Sequence, residues 1–103
     1  MVTRGEVWWM EAPERKGRPV VVLSREAIAA RAQRVTVAEI TTRVRGFVTE
    51  VALDTEDGMS RPCVASLTNV STVYRGYLTR HIATLGPVRM AQICEALKIA
   101  VAC

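Results

Sequence analysis

The chain has 103 residues, a length that suits a single domain over 1–103 with one workable core; no apolar run approaches the ~20 residues of a membrane span. Three scattered cysteines, Cys63, Cys94 and Cys103, and one histidine, His81, exclude a Cys-x-x-Cys zinc site, a disulfide framework and acid–base chemistry by a pair of histidines within one chain. The formal net charge is +4 and twelve of the fourteen basic residues are arginine, a balance that suits a polyanionic partner and planar, bidentate phosphate contacts.

The first stretch, Arg4-Gly5-Glu6-Val7-Trp8-Trp9-Met10, reads as a turn into a strand, with Val7 and Trp9 on one face and Trp8 and Met10 on the other. It lacks the apolar segment of a signal peptide, so the expected location is the cytoplasm. Adjacent tryptophans on opposite faces need a sheet covered on both sides, or a partner surface for one of them. A charged loop, Glu11–Gly17, follows. It leads into Gly17-Arg18-Pro19-Val20-Val21-Val22-Leu23-Ser24, a β-branched run in which Pro19 fits the first strand position. Gly17 suits a tight turn there. Arg18 is held at the strand entrance beside a fixed φ, where a guanidinium can grip a phosphate.

Ser24 is expected to N-cap a short Ala-rich helix over 25–31. Residues 34–42 are β-branched and strand-like, and Arg43–Gly46 is a basic connection. Further strands are expected over 47–53, 62–67 and 69–73, with an acidic turn at 54–58 and a last strand-like approach over 77–85. Gly86-Pro87 then punctuates the chain. From Val88 the period turns helical: Ile93, Leu97 and Val101 share a stripe, with Met90, Cys94 and Ala100 alongside. Short strands with close turn signals and one closing helix predict a small, partly open barrel carrying helices.

In order and spacing these features resemble the MazF/PemK family of toxin endoribonucleases over nearly the whole chain. The resemblance is carried by Arg4-Gly5-Glu6-Val7-Trp8, by the Gly17–Ser24 run, by Ala38-Glu39-Ile40-Thr41 and Thr49-Glu50-Val51, by Gly58-Met59, Asn69-Val70-Ser71-Thr72-Val73, the Leu78–Gly86 stretch and the final helix. It implies a mainly β fold with helices, an SH3-like barrel of the PemK/CcdB type with a C-terminal α-helix. It also implies a homodimer and a metal-independent, cofactor-free ribonuclease. Such an enzyme cuts single-stranded RNA at short sequences, inhibits translation and growth, and is held inactive by a cognate, MazE-like antitoxin. The family's functional arginine falls on Arg18 and its functional threonine on Thr41. Its acidic residue in the later strand falls on Thr68, which cannot ionise and is kept as an RNA-contact position. The Glu11–Gly17 loop is shorter than the family's usual one.

Cleavage by 2′-OH attack needs the 2′ proton removed, the charge on the phosphorane stabilised and the 5′ oxygen protonated, leaving a 2′,3′-cyclic phosphate and a 5′-OH. Arg18 suits the charge, and Thr41 can hold a phosphate oxygen or the 2′-OH. Independently of the resemblance, period-two alternation sets Glu39 beside Thr41 as a candidate base or orienting group. Arg43, Arg45, Trp9, Trp8 and Tyr74 are candidates for RNA contact by residue type. The competing readings are a non-catalytic RNA-binding module and a poison of DNA gyrase; the latter class depends on a Trp-Gly-Ile ending, which Lys98-Ile99-Ala100-Val101-Ala102-Cys103 lacks.

Overall fold

A computed structural model describes residues 2–102, the side chain of Ala27 excepted; the predicted free thiol at Cys103 lies outside the described residues. Its strands are β1 (Glu6–Met10), β2 (Arg18–Val22), β3 (Arg34–Thr41), β4 (Glu50–Leu53), β5 (Cys63–Tyr74) and β6 (Leu78–Thr84). All pair antiparallel in one sheet of order β4-β5-β3-β2-β1-β6. Helix α1 (Glu26–Arg31) joins β2 to β3, and α2 (Pro87–Ala100) closes the chain against β4 and β5. No helix among the described residues is long and apolar enough to cross a membrane.

The expected β architecture with a closing helix is the one the chain adopts, and its strand periodicity explains how. Alternate residues of β2 and β3 feed two apolar clusters on opposite faces of the sheet. Val21, Ala38 and Ile40 join Leu53, Leu67, Ile93 and Ala96 under α2. Val20, Val22, Val35 and Val37 join Met10 and Ala29 on the other face. The Val-Val-Val run is thus buried on both sides, each side chain contributing about 1.5–3 kcal/mol of burial. The same two-sided cover resolves the tryptophan pair. Trp8 edges the second cluster and stacks on His81 at 5.3 Å, while Trp9 lies against Gly17.

Five expectations are corrected. Ser24 does not cap α1: its Oγ accepts the Thr36 N–H at 2.8 Å, and Arg25 is the N-cap without a side-chain bond. The strand expected over 47–53 begins only at Glu50, because Gly46 turns the chain with φ +80° and the Glu50 N–H closes on Phe47 O at 3.0 Å. The strands expected over 62–67 and 69–73 are one strand, β5, interrupted by a bulge. Val101 lies past the end of α2 and is exposed, so Ala96 takes its place on the buried stripe with Ile93. Gly17 has no positive φ; its need for glycine is close approach, since a Cβ there would stand 2.6 Å from the Trp9 ring.

Candidate active site

The cross-strand pair Val20↔Glu39 fixes the register between β2 and β3. Continued one step of the pleat, that register sets Arg18 opposite Thr41. Arg18, Glu39 and Thr41 therefore share the sheet face of Val20 and Val37, at the end where apolar cover gives way to polar side chains. All three line one groove of about 370 Å³. A second hollow of about 380 Å³, walled by Lys16, Met59, Ser60, Arg61 and Cys63, adjoins it and shares Gly17, Arg18, Ile40 and Thr41. Arg18 and Thr41 stand where the two hollows meet.

Arg18 is held on two sides. Its Nη1 donates to Glu39 Oε1 at 2.8 Å and its Nε to the Lys16 carbonyl at 3.4 Å. Its Nη2 makes no hydrogen bond to another described residue, and the side chain is 31% exposed, so this edge of the guanidinium faces outward. Glu39 receives a second guanidinium, Arg15 Nη2 to Oε2 at 3.2 Å, which reaches in from the loop between β1 and β2. Arg15 was not legible from the sequence: nothing local indicates that a loop arginine twenty-four residues away meets Glu39. The expected carboxylate neighbour of Thr41 is present, bound by two arginines. Thr41 Oγ1 accepts the Arg43 N–H at 3.1 Å, which pins the start of the basic connection to the strand end.

Arg43 and Arg45 line the groove, and so do Phe47 and Glu50. Glu50 organises this rim: its carboxylate accepts the N–H of Arg45 at 3.1 Å and of Gly46 at 2.9 Å. The β5 bulge lines the same groove. Ala38 pairs with Val70 but Glu39 pairs with Ser66, so residues 67–69 have no partner on β3. Leu67 turns into the core, while Thr68 and Asn69 are exposed and line the groove. Ser66, buried between the paired positions of Glu39 and Glu50, bonds Thr68 Oγ1 at 3.0 Å and accepts Asn69 Nδ2 at 3.4 Å.

The aromatic candidates are not brought to the groove. Trp9 backs Gly17 from behind, with the Arg80 guanidinium 6.0 Å from its ring centroid. Tyr74 lies at the far end of β5, under Arg34 at 4.6 Å. The aromatic that does line it is Phe47, which sequence reasoning assigned to a strand; being the chain's one Phe, directly after a Gly in a basic stretch, was the signal available. His81 bonds Ala83 O at 2.9 Å and stacks on Trp8 toward the β6 edge of the sheet, as a hydrogen-bonded surface histidine. Burial, and secondarily the charges of Asp57 and Asp54, push the Cys63 thiol up, so the floor of the second hollow carries an inert thiol rather than a nucleophile. Among the described residues, no three His, Cys, Asp or Glu side chains gather into a set that could hold a metal ion.

The family described as "PemK-like, MazF-like toxin of type II toxin-antitoxin system" matches residues 3–101. A relative from Mycobacterium tuberculosis named "Probable endoribonuclease MazF5" is 44% identical over 101 residues, covering 97% of this chain and 93% of that protein. The structure titled "Mycobacterium tuberculosis toxin MazF-mt6" superposes with TM-score 0.87 at 35% identity, over 94% of this chain and 96% of that one. The fold is also that of "Endoribonuclease in complex with its cognate antitoxin from Mycobacterial species", with TM-score 0.89 at 24% identity over 99% of this chain and 96% of that one.

Proposed function

The chain belongs to the PemK-like, MazF-like toxins of type II toxin–antitoxin systems, and on that footing we propose that it is a cytoplasmic endoribonuclease, one domain from end to end, that cuts single-stranded RNA at short sequences without a metal or other cofactor. The observation that carries this is the shared groove: a guanidinium clamped by a carboxylate stands opposite a threonine hydroxyl, with room for nucleotides on both sides.

In this reading the scissile phosphate lies against Arg18 and Thr41. The free Nη2 edge of Arg18 donates to the phosphate and stabilises the added charge of the phosphorane. The Thr41 hydroxyl fixes an oxygen of the same group, and positioning of that kind supplies much of the rate. The 2′-OH gives its proton to Glu39, whose carboxylate shares the sheet face with Thr41 and which also orients Arg18. O2′ bonds to phosphorus, the P–O5′ bond breaks, and the 5′ oxygen takes a proton from water. The products are a 2′,3′-cyclic phosphate and a 5′-OH. Arg43, Arg45 and Thr68 contact the RNA on either rim.

The toxin works as a homodimer restrained by a MazE-like antitoxin. The outward side of α2 leaves Val88 71% and Ile99 55% exposed, apolar surface that association would cover. The basic groove suits an acidic antitoxin segment with apolar anchors.

The test is incubation of the pure protein with a long unstructured RNA in EDTA, with the new 5′ ends mapped. Cleavage at a recurring short sequence is expected, with Arg18→Ala slower by about 10²–10³-fold. An intact RNA that still binds the protein would make this a non-catalytic module.

A further inference from the structure

Phe47 is 54% exposed although it is the largest apolar side chain on the groove rim. The loop that carries it is not loose. Gly46 holds a left-handed φ of +80°, and the Glu50 carboxylate ties down the N–H groups of Arg45 and Gly46. The Glu50 N–H returns to Phe47 O at 3.0 Å, so the turn is closed from both directions. A pinned turn that leaves its aromatic in water gains nothing for folding. The β5 bulge lines the same groove, and there Asn69 donates its Nδ2 to Ser66 Oγ at 3.4 Å while its Oδ1 makes no hydrogen bond to another described residue. An apolar ring and a hydroxyl–amide row in one groove are what an unpaired nucleobase needs: a stacking platform and partners for its edge.

We propose that Phe47 and Asn69 form a nucleobase subsite: the base next to the scissile phosphate stacks on Phe47, and Asn69 reads its edge. This rests on the ribonuclease reading and names where that site takes its sequence preference. The basic flank of Arg43 and Arg45 carries the backbone while the ring carries the base.

The experiment uses the whole chain and an RNA oligonucleotide made uncleavable by a 2′-deoxy sugar at the cut. Phe47→Ala is expected to weaken binding about tenfold or more, the range for loss of one base stack. Phe47→Trp is expected to restore binding and to show an emission change on adding the oligonucleotide that the wild-type tryptophans do not show. Asn69→Ala is expected to broaden the bases accepted at one position beside the cut in end mapping. Equal binding and identical cut sites for wild type and Phe47→Ala overturn the subsite, while cleavage by wild type persists and keeps the ribonuclease reading. A Phe47→Ala protein that loses its oligomeric state but binds RNA as before also overturns it and assigns the ring to a contact between copies. A wild type that cuts no RNA removes both.

Discussion

In the proposed mechanism, Glu39 is the residue on which the chemistry turns. Its two oxygens are each taken by a different guanidinium, Arg18 at 2.8 Å and Arg15 at 3.2 Å. Glu39→Gln keeps the shape and one acceptor oxygen while removing the charge and the basicity. We expect cleavage to fall about 10²–10⁴-fold. Single-turnover rates measure this, and a variant cleaving at the normal rate takes Glu39 out of the mechanism. The trio Arg18, Glu39 and Thr41 was legible in the sequence by two routes: the family resemblance marks Arg18 and Thr41, and strand periodicity, which puts i and i+2 on one face, adds Glu39 beside Thr41. Its partners were not. Arg15 arrives from a loop, and Asn69 reaches the groove through a bulge that no local pattern encodes. Trp9 was misplaced for a related reason. Its residue type suits stacking on RNA, but the ring is used to seat Gly17.

At the scale of elements, the sheet carries the site and the turn after β4 fastens α2 to it. That turn, Thr55–Asp57, is closed by a capping box between Asp54 and Asp57, and Arg89 of α2 donates from its Nε to both Asp57 oxygens at 3.1 Å. Burial raises the Asp57 carboxyl, but the Asp54 N–H and the Arg89 guanidinium outweigh it and hold the group below the usual carboxylate range. A carboxyl that ionises more easily folded than unfolded stabilises the fold fully above its unfolded value, about 4. That contribution is lost as the pH falls through the lower folded value. Asp57→Asn retains an oxygen for the Asp54 N–H and loses the ion pair. We expect it to cost about 1 kcal/mol at neutral pH by urea unfolding, with the gap from wild type closing in acid. A gap of the same size at pH 2 and pH 7 would mean that the pair contributes by packing alone. The strands and α2 were readable from apolar spacing. The break in β5 reads as a boundary between strands at Thr68, because a bulge against β3 leaves no mark in local spacing.

For the whole molecule, the charge noted at the outset acquires a location. Arg43 and Arg45 line one hollow, Lys16 and Arg61 the other, and Arg18 stands between them. A strand of RNA laid along this path releases counterions in proportion to the phosphates it meets. Arg45→Ala is expected to reduce the slope of log affinity against log salt by about one phosphate contact, with little change in cut site. An unchanged slope would point Arg45 away from the backbone. In the proposed reaction the attacking group is the RNA's own 2′ oxygen, delivered to a phosphate held by Arg18 and Thr41. The most direct test replaces a single ribose, at the mapped cut, by 2′-deoxyribose in an otherwise unchanged RNA. Unaltered affinity and no cleavage at that bond are expected; cleavage there at an undiminished rate would contradict 2′-OH attack, because the nucleophile would then have to be something else.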